Sequence, residues 1–487
     1  MLRNAESQGG KAGQQIALVG LGIYVLFAPH SVAASAIGVS LAGIGWVLRT
    51  LQTRSLGLRW SKFDLIIVLS LLWTVASALL SEEPRISIAK LQASWCVLLF
   101  YLARATLTRR SALVLVALLI VSGSAGALYS AFDLVRGRGV IVESIAGGSP
   151  FNQVGIRPGD TIWQINRRRV YSTADLDRTL AQIPPNTPVT AGIISQGEQV
   201  ERSFTLPQPS ASGVVGSERN HRFRASGWTR HYETFAELMQ MIAQLALGLA
   251  LAHLRNHGPN RIFKIAIVAA ALLTASLVFT AMRTVIVAFV IGASVIALRS
   301  LRATLRVAFT FALFAVLAFA AVVVWQTRDR NALLLGDPSS SLRYEVARVG
   351  LSRIPIHPVF GHGMDAMQLH WNEWGFPGKD MLHLHSTPLQ LAFDRGLPML
   401  VLWLWMMILF WLTIARAERR AADLSDTNYY GILLGTLGAL TGFLMSSMVN
   451  YNYGDAEVVM MFWFLMGIGL IGPIGNIGPI SKPTRSD

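Results

Sequence analysis

The sequence predicts an all-α polytopic membrane protein of about twelve transmembrane helices, into which a small soluble α+β domain is inserted. The first observation is composition. Of the 487 residues, 53% are hydrophobic and only 14% are charged, whereas soluble domains carry about 25% charged residues. The second observation is that apolar stretches recur along the chain with polar breaks between them. The third is that Arg and Lys cluster in alternate breaks, which indicates a membrane topology.

Each candidate span is an apolar run close to the roughly 20 residues that a helix needs to cross a bilayer. The runs are 14–29, 32–48, 64–80, 87–103, 111–132, 233–254, 262–280, 283–298, 306–326, 396–415, 429–449 and 456–473. The first two are short, and one re-entrant hairpin is the alternative for them. The single cysteine, Cys96, lies inside a run, so the sequence excludes a disulfide framework and a cysteine-based metal site.

Basic residues mark one set of loops and are scarce in the alternating set. The basic set contains Arg49, Arg54, Arg59, Lys62, Arg104, Arg109, Arg110, Arg255, Arg261, Lys264, Arg299, Arg302, Arg306, Arg416, Arg419 and Arg420. The alternating set includes the acidic segment 81–84 and the turn 450–455. Because cytoplasmic loops carry the excess of Arg and Lys, we expect an inner-membrane protein with both termini cytoplasmic. This topology accounts for the net charge of +15, so no nucleic-acid partner is predicted.

Under this orientation two long segments lie outside, in the periplasm. The predicted parts are N-terminal transmembrane helices in 1–132, a soluble domain in 138–207, a linker in 208–231, transmembrane helices in 232–326, a catalytic loop in 327–395, and C-terminal transmembrane helices with a cytoplasmic tail in 396–487.

The soluble domain shows strand and turn patterns. Strands are predicted at 140–142, 161–165, 188–195 and 199–206, with a helix at 174–180 after the N-cap residues Ser172-Thr173 and a hairpin turn at Gln196-Gly197. The segments Gly148-Ser149-Pro150, Gly155-Ile156-Arg157-Pro158-Gly159-Asp160, Ile165-Asn166 and Asp175-Leu176 resemble a bacterial PDZ domain. The resemblance implies peptide binding beside a sheet edge. The alternative is a spacer that packs over the membrane domain. Ahead of Val140 stands Arg136-Gly137-Arg138-Gly139, with no clear carboxylate-binding loop.

The second outer segment concentrates groups suited to transfer chemistry on an anionic substrate. Five of the ten histidines fall between His357 and His385. The basic residues of this segment are Arg328, Arg330, Arg343, Arg348, Arg353, Lys379 and Arg395. Guanidinium groups bind phosphate through a planar fork, and a neutral imidazole can accept a proton near pH 7. Trp371 and Trp374 are expected at the membrane interface.

Arg283 lies between two apolar runs on the predicted outer side. A charged residue in such a place is a functional hypothesis. The alternative is an interfacial anchor whose charged end reaches water.

Four ordered elements resemble the signature region of the O-antigen ligase family, which also includes Wzy-type polymerases and protein O-oligosaccharyltransferases. They are Ser341-Leu342-Arg343-Tyr344-Glu345-Val346-Ala347, Pro355-Ile356-His357-Pro358-Val359-Phe360-Gly361-His362-Gly363, His383-Leu384-His385-Ser386-Thr387-Pro388-Leu389-Gln390 and Arg395-Gly396-Leu397-Pro398. The break Thr280-Ala281-Met282-Arg283-Thr284 is similar to the family's Arg-bearing helix start. The resemblance covers about 260 residues of the C-terminal part.

The resemblance implies glycan transfer from a polyprenyl-diphosphate-linked donor, with no nucleotide sugar, cofactor or metal. It assigns diphosphate binding to Arg283 and Arg343, and assigns to His385 either the orientation or the deprotonation of the acceptor hydroxyl. Arg348, His362 and His383 are possible further substrate contacts. A metal site on His383 and His385 is an alternative that we set aside, because the nearby acidic residues follow no recognised ligand spacing.

Several partners and functions stay open on the sequence. The acceptor is a lipid A-core, a polysaccharide or a protein, and the reaction is ligation, polymerisation or protein glycosylation. Non-enzymatic alternatives are a transporter and a membrane scaffold that works through the PDZ-like module. The scaffold alternative leaves the Arg- and His-rich outer segment unexplained.

Overall fold

A computed structural model describes residues 2–58, 60–195, 198–206, 212–216, 219–229, 231–327, 338–378, 383–422 and 426–471. The N-terminal helices are α1 (Leu2–Phe27), α2 (Val32–Thr53), α3 (Lys62–Leu80), α4 (Pro84–Lys90), α5 (Leu98–Thr106) and α6 (Arg109–Arg136). A 3₁₀ turn at Leu91–Val97 joins α4 to α5. Gly20 allows α1 to pack closely on α2, because a side chain there would overlap the backbone of Ala42. Small residues permit such contacts between membrane helices.

The inserted domain has its own sheet and its own core. Its elements are β1 (Val140–Ile145), α7 (Pro150–Gln153), β2 (Thr161–Ile165), β3 (Arg168–Arg169), α8 (Thr173–Ala181), β4 (Thr187–Ser195), β5 (Glu198–Leu206) and β6 (Val214–Gly216). The strand order is β5-β4-β2-β1-β6, with β3 paired to β2. Strands β4 and β5 pair antiparallel from Thr187↔Leu206 to Ser195↔Glu198. This register confirms the predicted hairpin, although its turn at Gln196-Gly197 lies outside the described residues.

The buried guanidinium of Arg138 holds this domain against the membrane part. Its Nε donates to Asp133 of α6 over 2.6 Å, and one of its terminal nitrogens donates to Ser226 over 3.2 Å. Arg138 and Asn220 also exchange two backbone hydrogen bonds, of 2.8 and 2.9 Å. The predicted linker 208–231 therefore contributes structure of its own, since it also supplies β6.

The remaining membrane helices surround a central one. They are α9 (Tyr232–His257), α10 (Arg261–Phe279), α11 (Arg283–Ser300) and α12 (Ala303–Thr327), followed after the outer segment by α15 (Thr387–Ala422), α16 (Thr427–Ser447) and α17 (Ala456–Gly469). The apolar stretch of α9 is entirely buried inside the protein. Its Gly248 approaches Gly435 of α16 so closely that a side chain would overlap the backbone.

Among the described residues, ten helices are long and apolar enough to cross a membrane. The prediction of a polytopic membrane protein is thus confirmed. Each of the twelve predicted runs overlaps helix in the described residues, but α1 is not among the ten, and α17 is a shorter apolar helix of 14 residues.

In its described residues, the second outer segment is folded rather than an open loop. It contains α13 (Pro338–Arg353) and α14 (Ala366–Leu369), and α15 already begins at Thr387, ahead of its kink at Gly396. Trp371 and Trp374 are buried in an aromatic core with Phe376 and Phe393. Their expected place at the membrane interface is wrong, because this segment is large enough to bury them in a core of its own. Arg328, Arg330 and Lys379 lie outside the described residues.

Candidate functional site

Two cavities meet at His385. The first, about 330 Å³ in volume, is called the arginine cavity and is lined by Arg224, Met282, Arg283, Thr284, Ser340, Arg343, Tyr344, Ala347, Leu384, His385, Ser386, Leu389, Met448 and Val449. The second, about 960 Å³, is called the acidic cavity. Its carboxylates are Glu233, Glu237, Asp365, Asp455 and Glu457. His385 lines both cavities, so one side chain faces a cationic space and an acidic one.

Arg283 is placed by a break between two membrane helices. Helix α10 ends at Phe279, Ala281 has a φ of 51°, and α11 begins at Arg283. Helix N-termini attract anions, because their free N–H groups and the helix dipole are positive there. The side chain of Arg283 donates to Ser340 Oγ over 3.3 Å. The break therefore adds the N-terminus of a helix to a guanidinium at one wall of the arginine cavity.

Arg343 projects from α13 at the boundary between the two cavities. One of its terminal nitrogens donates to Glu233 over 3.2 Å. Its Nε is buried and has no hydrogen-bond partner among the described residues. A buried donor in this state favours an acceptor that arrives with the substrate.

Arg224 is the third cation of the arginine cavity, and the sequence reasoning missed it. It follows the inserted domain, is only 2% exposed, and lies over the ring of Tyr232 at 4.2 Å. Nothing in the local pattern distinguishes it from Arg219 or Arg222 nearby. Only the folded structure brings it to Arg283 and Arg343.

His385 combines an unusual backbone with a buried ring. Its φ of 53° is in the left-handed region, where residues other than glycine are uncommon. Such conformations cluster at functional sites. The adjoining Leu384 N–H donates to Gln390 over 2.7 Å, and Thr387 donates to the carbonyl of Asn450 over 3.1 Å. These bonds fix the loop to α15 and to the turn before α17.

The electrostatics of this loop favour a neutral imidazole. Burial lowers the pKa of His385 to about 2, and the positive charges of His383 and Arg343 act in the same direction. The Nε2 atom of His385 is buried and has no hydrogen-bond partner in the described parts of the chain. His383, whose ring lies 4.3 Å from that of His385, lines the acidic cavity, and burial lowers its pKa as well. His385 is thus available as a hydrogen-bond acceptor, whereas its low pKa makes it a weak proton acceptor.

The other two possible substrate contacts lie apart from both cavities. Arg348 is exposed on α13 and lines neither cavity. His362 is 1% exposed, with its Nδ1 2.5 Å from Glu82 and its Nε2 3.1 Å from the carbonyl of Arg353. Its ring stacks on Phe393 at 4.6 Å. Both ring nitrogens of His362 are engaged, which fits a role in tying two outer segments together.

One group of side chains could hold a metal ion. Ligand atoms of Glu82, His357 and His362 all lie within 4.8 Å of one another. The sequence reasoning considered metal binding only at His383 and His385 and did not anticipate this group, because Glu82 comes from a distant loop. Nε2 of His362 donates a hydrogen bond to the carbonyl of Arg353, so Nδ1 presents a lone pair toward the carboxylate of Glu82. These two acceptor atoms attract each other only when a proton or a cation lies between them.

Comparisons with known proteins match two separate parts of the chain. A sequence model of the O-antigen ligase family matches residues 268–404, which include Arg283, Arg343 and His385. A model of the PDZ domain matches residues 122–206. The ligase match supports a cell-envelope glycan ligase type of function.

Three curated relatives match over short segments. The chain is 31% identical over 84 residues to the magnetosome formation protease MamE of Magnetospirillum gryphiswaldense, covering 17% of this chain and 11% of that protein. It is 32% identical over 84 residues to the periplasmic pH-dependent serine endoprotease DegQ of Escherichia coli, covering 17% and 18%. It is 31% identical over 70 residues to a probable periplasmic serine endoprotease DegP-like of Ectopseudomonas mendocina, covering 14% and 15%. The chain therefore spans less than a fifth of each relative, and their protease activities are not transferred to it. The resemblances seen in the sequence are confirmed: the chain is a multi-pass membrane protein that carries an O-antigen ligase domain, with a PDZ domain inserted ahead of it.

Proposed function

We propose that this protein transfers a glycan from a polyprenyl-diphosphate-linked donor in the arginine cavity to an acceptor hydroxyl in the acidic cavity. The observation that carries the proposal is that His385 lines both cavities. A residue in this position can contact the reacting atoms of two substrates that enter from different spaces. The proposal is an inner-membrane enzyme acting at the periplasmic face, because the basic loops are expected in the cytoplasm.

The arginine cavity suits a lipid diphosphate in charge and in polarity. Arg224, Arg283 and Arg343 line it together, and guanidinium groups bind phosphate oxygens through paired hydrogen bonds. The same cavity has apolar wall residues in Met448 and Val449, which are 43% and 46% exposed. An anionic head beside an apolar wall is the arrangement that a prenyl diphosphate needs.

The acidic cavity suits a neutral, hydroxyl-rich acceptor and repels a second diphosphate. Glu233 and Asp455 line it with Asn450, which adds amide donors to carboxylate acceptors. Trp228 is also at this cavity and stacks on Tyr129 at 4.3 Å. Carboxylates and aromatic faces are the groups that hydrogen-bond sugar hydroxyls and pack on sugar rings.

The reaction follows from these positions. The acceptor oxygen forms a bond to the anomeric carbon of the donor glycan, and the bond from that carbon to the diphosphate oxygen breaks. The neutral ring of His385 accepts a hydrogen bond from the acceptor hydroxyl and orients it. The hydroxyl proton passes to the departing diphosphate, because burial makes the ring too weak a base to hold it. Arg283 and Arg343 stabilise the charge that develops on the departing polyprenyl diphosphate.

The test is a transfer assay with purified protein, a polyprenyl-diphosphate glycan and an envelope extract as the source of acceptor. Wild type should move glycan to a new carrier, which mass measurement identifies. His385→Ala and Arg343→Ala should lose at least 100-fold of the rate, as removal of a group that orients the acceptor or binds the diphosphate does. Arg348→Ala is the matched control, because Arg348 is on the same helix as Arg343 but lines neither cavity. Equal activity in all four proteins would refute the proposed site.

A protein acceptor is the second candidate, and the PDZ domain is the observation that favours it. PDZ domains recruit peptides by adding a strand to a sheet. Deletion of the inserted domain should then abolish transfer to a protein acceptor and spare transfer to a lipid acceptor. A product that contains joined donor repeats alone would indicate a polymerase instead.

A further inference from the structure

The outer edge of β1 in the PDZ domain is already covered by a short strand from later in the chain. Strand β6 pairs antiparallel with β1 through Val142↔Gly216, Ser144↔Val215 and Ile145↔Val214. The N–H of Ala146 also donates to the carbonyl of Gly213 over 2.8 Å. The other edge of β1 pairs with β2. Both edges of this strand are therefore occupied.

The added strand lies outside the part of the chain that matches the PDZ family. That match ends at residue 206, whereas β6 spans Val214–Gly216. The segment also contacts the helix of the domain, because the N–H of Ser212 donates to Asp177 of α8 over 2.6 Å. An extended segment held between an edge strand and a helix has the geometry of a peptide bound by strand addition.

The side chains of the segment fit this position. Val214 is 8% exposed and joins the core of the domain, while Val215 is 59% exposed. Gly216 comes so close to β1 that a side chain would overlap the carbonyl of Ile141. The carbonyl of Ser212 accepts from Ser149 over 2.5 Å. The segment is uncharged and small, and alternate residues face inward as strand addition requires.

We propose that residues 212–216 are an internal ligand of the PDZ domain, which fills its peptide groove and competes with partner segments of the same type. The partner is an extended, uncharged protein segment of small and β-branched residues. It does not need a free carboxyl terminus, because the internal ligand continues beyond Gly216. This property agrees with the absence of a clear carboxylate-binding loop before Val140, where Arg138 is instead paired with Asp133. The proposal is independent of glycan transfer.

The internal ligand competes strongly with a free peptide because it is covalently connected to the PDZ domain. A segment tied to its groove by a short link has an effective concentration of about 1 mM. If the free peptide binds the open groove with a Kd of about 10 µM, the internal ligand weakens its apparent binding by about 100-fold. Disrupting β6 should therefore tighten the apparent binding of the free peptide by the same factor.

The experiment uses the full-length protein in detergent and a fluorescein-labelled peptide amide of residues 211–217. Val215→Pro removes a backbone N–H from the strand pair with Ser144, and Gly216→Val pushes β6 off β1. Val215→Thr is the matched control, since its exposed side chain changes while its N–H is kept. Both disrupting variants should bind the peptide about 100-fold more tightly than wild type, and Val215→Thr should bind like wild type. No gain in either folded variant would overturn the proposal.

A second measurement covers the case in which the variants do not fold. In the wild type, peptide added at several millimolar should displace β6, so hydrogen exchange at the amides of residues 213–216 should become faster. Exchange at β4 serves as the reference, because that strand lies elsewhere in the sheet. Unchanged exchange at 213–216 under saturating peptide would count against an internal ligand.

Discussion

Replacing His385 with asparagine should remove a pH dependence of folding stability that the wild type has. Burial lowers the pKa of His385 to about 2, with His383 and Arg343 adding positive charge nearby. A histidine in an unfolded chain has a pKa of about 6.5. Because the unfolded state binds the proton more tightly, stability is greatest above pH 6.5 and decreases as the pH falls toward the native pKa.

The expected change in the free energy of unfolding follows from the difference between the pKa of His385 in the unfolded and in the native state. Between pH 7 and pH 5, proton uptake by one unfolded histidine lowers the free energy of unfolding by about 2 kcal/mol. The result is the same for any native pKa below about 4, since the native ring stays neutral throughout this interval. Asparagine is the suitable replacement, because it does not titrate and it tolerates the left-handed φ of 53°.

The assay is denaturant unfolding of the purified protein in detergent at pH 7 and at pH 5. Wild type should lose about 2 kcal/mol more than His385→Asn between these two conditions. Groups that do not contact residue 385 titrate alike in both proteins and cancel in the comparison. Equal losses would mean that the native ring of His385 accepts a proton above pH 5, and the assignment of a neutral imidazole would then be wrong.

Three further predictions concern other parts of the chain. Arg343→Lys keeps the charge but loses the planar fork, so kcat/KM for the lipid-linked donor should fall about 10- to 100-fold, while Arg348→Lys should leave it unchanged. Gly396→Ala should lower the free energy of unfolding by about 2 kcal/mol or more. The reason is that Gly396 has a φ of 80° and that a side chain there would overlap a backbone carbonyl. An unchanged unfolding midpoint would contradict the kink in α15. Arg138→Met removes one of the two arginines paired with the buried Asp133 and should cost about 2 kcal/mol, measurable as faster proteolysis around residues 137–229.

The sequence predicted the residues of the arginine cavity only in part, for physical reasons. Arg283 and Arg343 were found because each lies in a recognisable local pattern, and the structure brings them together with His385. Arg224 was missed because its role depends on a contact with Tyr232 and on the return of the chain from the inserted domain. Neither feature leaves a periodic signal in the sequence.

His362 shows the opposite difficulty. The family resemblance made it a possible substrate contact, but its partner Glu82 comes from the predicted outer loop after α3. A pattern within one segment cannot reveal that a residue of another segment will occupy Nδ1 of the ring. The same reason explains why the acidic cavity was not foreseen, since its carboxylates come from α9, the residue before α14, the turn before α17 and the first turn of α17.

The paired hydrogen bonds between Arg138 and Asn220 have a consequence for the architecture of the gene product. Residues that exchange both hydrogen bonds in an antiparallel pair have Cα atoms about 5.5 Å apart, a gap that one or two residues can close. The inserted domain therefore leaves and re-enters the membrane part at almost one point. Removal of residues 139–219 would keep Arg138 paired with Asp133, so the helix bundle should stay folded, and the two ends offer a place where another folded module can be exchanged for the domain.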